Sequence, residues 1–106
     1  MRNTLKSGQI RTMIFKQGRD WHGVALELNI VESGNDPREV MLMLDEAVRG
    51  YIETAGKREA SAKVLNQTAD PEYEKLWALM QNNKPVKAPT KVYSFGTLSV
   101  PTLRFA

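Results

Sequence analysis

The sequence predicts an α+β fold: an antiparallel sheet built in the order β-β-β-α-(α-α)-β, with helices packed on one face. Three observations carry this. Residues 11–33 alternate apolar and polar side chains across very short turns. Asp36-Pro37 opens a long stretch with helical apolar spacing. Residues 91–100 form a late apolar run behind a connector that contains Pro85 and Pro89. Alternation marks half-buried strands and a 3.6-residue period marks an amphipathic helix.

Residues 1–10 are polar and contain Gly8, and read as a flexible lead-in. Residues 11–16 (RTMIFK) read as a strand with Met13 and Phe15 on one face. Gln17-Gly18-Arg19-Asp20 reads as a turn, because glycine takes positive φ at little cost. Residues 21–28 (WHGVALEL) read as a second strand. Val24, Leu26 and Leu28 share its apolar face, and Trp21, Gly23, Ala25 and Glu27 share the other. Asn29 allows a tight bend into a short strand, Ile30 to Ser33. Strands joined by so short a turn are antiparallel.

The helix after Gly34 has the clearest start in the chain. Asp36 caps free N–H groups, Pro37 sits where no N–H is needed, and Glu39 is placed to close a capping box. Val40, Leu44, Ala47, Val48, Tyr51, Ile52 and Ala55 form one buried stripe, and Gly56 is a natural stop. Asp45 and Arg49 are spaced for an i, i+4 ion pair on the solvated side. Met41 and Met43 fall beside the stripe, where together with Tyr51 they widen the buried face or make an adaptable partner surface; core or dimer packing is the favoured reading. Residues 58–67 suit a short helix. Asp70-Pro71 then repeats the start signal for a helix with Tyr73, Leu76, Trp77 and Met80 on one face, ended by Asn82-Asn83. In the last strand, Gly96 marks a bulge or bend.

A chain of 106 residues is the size of one domain, so residues 1–106 are expected to fold as one unit, with 57–83 as a helical insertion before the last strand. The absence of cysteine excludes disulfides and thiolate metal sites. No apolar run approaches the roughly 20 residues that span a bilayer. The N-terminal residues have no h-region, so no secretory leader and a cytoplasmic location are expected.

Catalytic patterns are weak. His22 is the only imidazole, and its reading as a base helped by Asp20 competes with a simple strand-edge position. No serine sits in a G-x-S-x-G elbow, and Gly18, Gly23 and Gly34 are not spaced as a phosphate loop. Asp45, Glu46 and Glu53 fit a solvated helix face better than a metal cluster. No catalytic, cofactor or metal residue is therefore expected. A helix-turn-helix over 58–83 is disfavoured, because Asp70, Glu72 and Glu74 would meet phosphate at the reading end. The positive charge is local: residues 84–106 carry Lys84, Lys87, Lys91 and Arg104 without any acid, while residues 1–60 balance to zero. These four are the candidates for nucleic-acid contact.

The central segment has a recognisable pattern. Trp21-His22-Gly23-Val24-Ala25-Leu26-Glu27-Leu28, then Ile30-Val31-Glu32-Ser33-Gly34, then a helix with Glu39, Leu44, Glu46, Ala47 and Tyr51 at set spacings, resembles the HicB-like antitoxin family over about residues 11–56. Asp36 stands where that family usually has threonine, and Val40 where it usually has alanine. The resemblance implies a core related to double-stranded-RNA-binding and degenerate ribonuclease-H-like folds. It also implies a homo-oligomer, dimer favoured, that binds and neutralises a small ribonuclease without catalysis of its own. The partner-facing residues expected are Trp21, His22 and Glu27. The C-terminal DNA-binding unit usual in the family has no counterpart in Pro101–Ala106, so operator binding is not implied. A nucleic-acid-binding or self-assembling domain is the alternative function.

Overall fold

The computed structural model describes residues 2–86 and 90–100. Strands β1 (Gln9–Gln17), β2 (Asp20–Ala25), β3 (Ile30–Gly34) and β4 (Lys91–Ser99) form one antiparallel sheet in the order β3-β2-β1-β4. Helix α1 (Pro37–Lys57) follows β3, and helix α2 (Pro71–Gln81) precedes β4. The α+β class and the element order follow the expectation.

The expectation that all helices pack on one face is corrected. Met13 pairs with Val24 and Ile14 with Gly23, so adjacent residues of β1 face opposite sides. Ile10 and Ile14 join α1 through Val40, Leu44, Val48 and Ile52. Met13, Phe15, Val24 and Leu26 join α2 through Trp77 and Met80. The sheet is thus covered on both sides. The signal was the unbroken run Met13-Ile14-Phe15, since a strand buried on both faces loses its alternation.

β2 is shorter than expected. It ends at Ala25, Leu26–Leu28 is a 3₁₀ turn, and Asn29 is left-handed with φ of 53°. The turn separates two leucines that alternation placed together: Leu26 packs on the α2 side and Leu28 on the α1 side. The less apolar face of β2 is the one that takes α1. A Cβ on Gly23 would lie 2.9 Å from Val40 Cγ1 and 3.0 Å from Ile14 Cδ1, so glycine lets the long helix approach.

The N-terminal segment is also corrected from flexible to fixed. Asn3 is buried, and its Oδ1 accepts from Gln9 N–H at 2.7 Å while its Nδ2 donates to the Leu65 carbonyl at 3.0 Å. Asn66 Nδ2 donates to the Asn3 carbonyl at 2.8 Å. Gly8 has φ of 128°, and a Cβ there would fall 2.2 Å from Asn3 Oδ1. β1 accordingly begins at Gln9.

The caps explain both helix starts. Asp36 accepts from Arg38 N–H and Asp70 from Glu72 N–H, each at 2.9 Å. The capping box is not closed; Glu39 stays exposed. The Asp45–Arg49 pair does not form either: Arg49 Nη1 is buried without a hydrogen-bond partner, and the i, i+4 pair on α1 is Glu53–Lys57 at 3.2 Å. The short helix expected over 58–67 reduces to a 3₁₀ segment, Ala62–Leu65, after Glu59 at φ of 50°. Tyr51 ties α1 to this segment by donating to the Val64 carbonyl at 2.8 Å. The irregularity in β4 lies at Tyr93, not at Gly96. Ile14 pairs with Ser94 and Phe15 with Val92, which leaves Tyr93 as the extra residue.

Candidate functional site

The densest polar cluster lies on the α2 side of the sheet. Glu27 accepts the backbone N–H of Arg11 at 2.7 Å on Oε1 and the Arg11 Nε on Oε2. Glu74, on α2, accepts both terminal nitrogens of the same guanidinium. The Arg11 guanidinium carbon lies 5.7 Å from the Trp77 ring centre. Trp77 in turn meets Phe95 edge-on, with centroids 5.8 Å apart. The hydrogen bond to Glu74 raises the Arg11 pKa further, with partial burial opposing it and Glu27 adding to it. The same bond lowers the Glu74 carboxyl below its usual range. Every acceptor here is committed to Arg11, so the cluster fastens α2 to β1 and to the 3₁₀ turn. Its members come from three distant stretches of chain, so spacing does not show it. The apolar face of α2 was legible; the arginine that meets its edge was not.

The residues expected to face a partner are not brought together. Trp21 and His22 are neighbours on β2 and point to opposite sides. Trp21 is half-buried on the α1 side, edge-on to Tyr93 at 6.1 Å, with Lys16 Nζ 5.8 Å from its ring. His22 lies on the α2 side, its ring 5.5 Å from that of Phe15. The Glu27 carboxylate holds Arg11. Of the basic candidates, Lys84 and Lys91 are exposed. Lys87 and Arg104 lie outside the described residues.

Among the described residues, two runs of neighbouring apolar side chains are open. One is the first turns of α1, where Met41, Leu42 and Met43 are 39%, 61% and 41% exposed. Val40 and Leu44 set the buried face, and helical geometry turns Leu42 roughly 200° from Val40. Asp36, Glu39, Asp45 and Glu46 surround this run in sequence against a single base, Arg38. The exposure of Met41 and Met43 goes against the favoured core reading and leaves the partner-surface alternative, and Leu42 between them completes three consecutive apolar residues that one helix face cannot bury. The other surface is β4, whose Val92, Tyr93 and Phe95 are exposed at an edge of the sheet. That exposure is set by strand order, which the sequence does not state.

The fold and these surfaces define a class: a four-stranded antiparallel sheet with one helix on each face and apolar groups left open on α1 and β4. Compared with known proteins, the chain matches no family model, no curated protein and no solved structure. Among the described residues no helix is long and apolar enough to cross a membrane.

Proposed function

We propose that the chain is a non-catalytic protein-binding module of the HicB-like antitoxin type, acting in the cytoplasm to neutralise a small ribonuclease. The observation that carries the reading is the open run Met41-Leu42-Met43 on α1. Three consecutive exposed apolar residues on a helix are unfavourable in water unless something covers them. Methionines give such a surface an adaptable shape. The surrounding acids match a basic partner, which is the charge expected of a small ribonuclease, and the opposed charges favour fast encounter. The pattern over residues 11–56 supports the same class.

The test is co-expression with any small protein encoded beside this chain, read by growth and by size-exclusion chromatography. A co-eluting complex with relief of growth inhibition is expected. Leu42→Glu changes a position that is 61% exposed, so the fold is expected to persist while complex affinity falls at least tenfold. Absence of a complex, or a Leu42→Glu variant that binds as well as the parent, overturns the reading. RNA binding that weakens steeply with salt, found in place of a protein complex, would replace it with the nucleic-acid alternative.

A further inference from the structure

Positive charge gathers on the α1 side of β1 and β4. Neither strand holds an Asp or Glu, and together they carry Arg11, Lys16 and Lys91. Arg11 is turned to the α2 side and held there by Glu27 and Glu74. Lys16 and Lys91 stand directly opposite each other in the register, so both project on the α1 side. Like charges in that relation repel. Lys16 Nζ rests 5.8 Å from the Trp21 ring, and neither lysine forms an ion pair among the described residues. Arg49 is the third cation of this side. α1 lies over β2 and β3 and runs from the Gly34 end of the sheet toward the Ile30 end. In a right-handed helix running this way, a step of roughly 100° carries Arg49 from the sheet-facing Val48 to the flank above β1 and β4. Tyr51 takes the opposite flank and holds Val64. Arg49 Nη1 is buried without a hydrogen-bond partner, and Asp45, one turn back, is not bonded to it. A guanidinium cannot shed its charge, so a buried N–H without an acceptor is destabilising. The strand surface beside it is small and polar: Thr12 pairs with Gly96, and Ser94 stands two residues before that glycine. A Cβ on Gly96 would meet nothing within 4 Å, so the space above it is open.

We propose that this flank binds a free nucleoside phosphate, with the phosphate held by Arg49 and the Lys16–Lys91 pair and the base laid against Tyr93. Phosphate answers the three cations together. Its oxygens suit both the guanidinium fork and the point charges of lysines. A carboxylate would satisfy Arg49 and leave the two lysines facing each other. Tyr93 stands beside the lysine pair, 42% exposed and edge-on to Trp21. Aromatic side chains of this kind stack on any base. The register also limits the platform. Phe95 and Val92 face the α2 side, so Tyr93 is the one aromatic that β4 offers here, enough for a single base and too little for a strand. The site uses none of Met41, Leu42 and Met43, and does not rest on the proposed function.

The test titrates adenosine monophosphate, inorganic phosphate and a short single-stranded RNA into the full chain by calorimetry. The nucleotide is expected to bind about tenfold tighter than phosphate, because the base adds its stacking, and to bind more weakly as salt rises. Arg49→Met keeps an apolar stem and removes the unpaired N–H groups. It is expected to weaken nucleotide binding by about tenfold or more while the thermal midpoint of the free chain stays equal or rises. Lys91→Gln and Tyr93→Ala are each expected to weaken binding severalfold, and Lys75→Gln, on α2, to leave it unchanged. Absence of nucleotide binding overturns the proposal, as does binding that Arg49→Met and Lys91→Gln leave intact. RNA bound by a chain that ignores the nucleotide also overturns it, and assigns the charges to a strand. An Arg49→Met chain that melts lower and still binds makes Arg49 a packing residue and overturns it too. If Arg49→Met does not fold, Lys16→Gln and Lys91→Gln decide.

Discussion

The two faces of the sheet are covered by different means. On the α1 side a 21-residue helix buries Val40, Leu44, Val48 and Ile52 against Ile10, Ile14 and Ala25, and buries Ala55 as well. Aliphatic side chains dominate, and Gly23 brings helix and strand close. On the α2 side an 11-residue helix buries only Trp77 and Met80. That helix relies on one large ring and on the grip of Glu74 on Arg11. A long helix spreads its attachment over five buried residues. A short one concentrates it, and each contact it makes matters more.

The sharpest way to break this comparison is Trp77→Ala. Truncating a buried tryptophan costs about 3–5 kcal/mol. Amide hydrogen exchange is expected to show α2 losing protection while α1 retains it. Equal loss in both helices would mean that the two sides open as one unit. Next is Gly23→Ala, which tests the close approach on the other side. The added methyl meets Val40 Cγ1 at 2.9 Å, so overpacking of about 1–3 kcal/mol is expected in chemical denaturation. An unchanged midpoint would mean that α1 shifts away freely.

The smallest effect is electrostatic. The Glu74 carboxyl is held below its unfolded value, near 4.5, chiefly by its hydrogen bonds to Arg11. Its stabilisation is therefore present above that value and is lost as pH falls through the lower folded value. Its side chain is 44% exposed, so solvent screening keeps the contribution to about 1 kcal/mol or less. Glu74→Gln is expected to lower stability slightly at pH 7 and to flatten the acid limb between about pH 5 and 3. A parent-like acid limb would show that Glu27 alone anchors Arg11.

Much of the fold was legible because it is local. Asp36-Pro37 and Asp70-Pro71 cap both helices where they stand in the sequence, since a cap needs only three consecutive residues. The stripe on α1 was legible because one turn of helix repeats within four residues. What was not legible depends on distant partners. Residues 1–9 are mostly polar, yet Asn3 is fixed by Leu65 and Asn66, more than sixty positions away. Alternation over residues 21–28 placed Leu26 and Leu28 together, and a single 3₁₀ turn sent them to opposite clusters. Trp21 and His22 are a different case: local alternation already sets these neighbours on opposite faces of β2, and the structure keeps them there.

The sequence by itself determined the α+β class, the element order, the two capped helices and the turn at Gly18, because each rests on contacts within a few residues. Only the tertiary structure decided that the helices cover opposite faces and that Arg11 joins Glu27 to Glu74. It alone also placed β4 at an open edge. These features arise from side chains that meet only after the sheet has assembled, and no periodicity within one segment encodes which distant segment will pack against it.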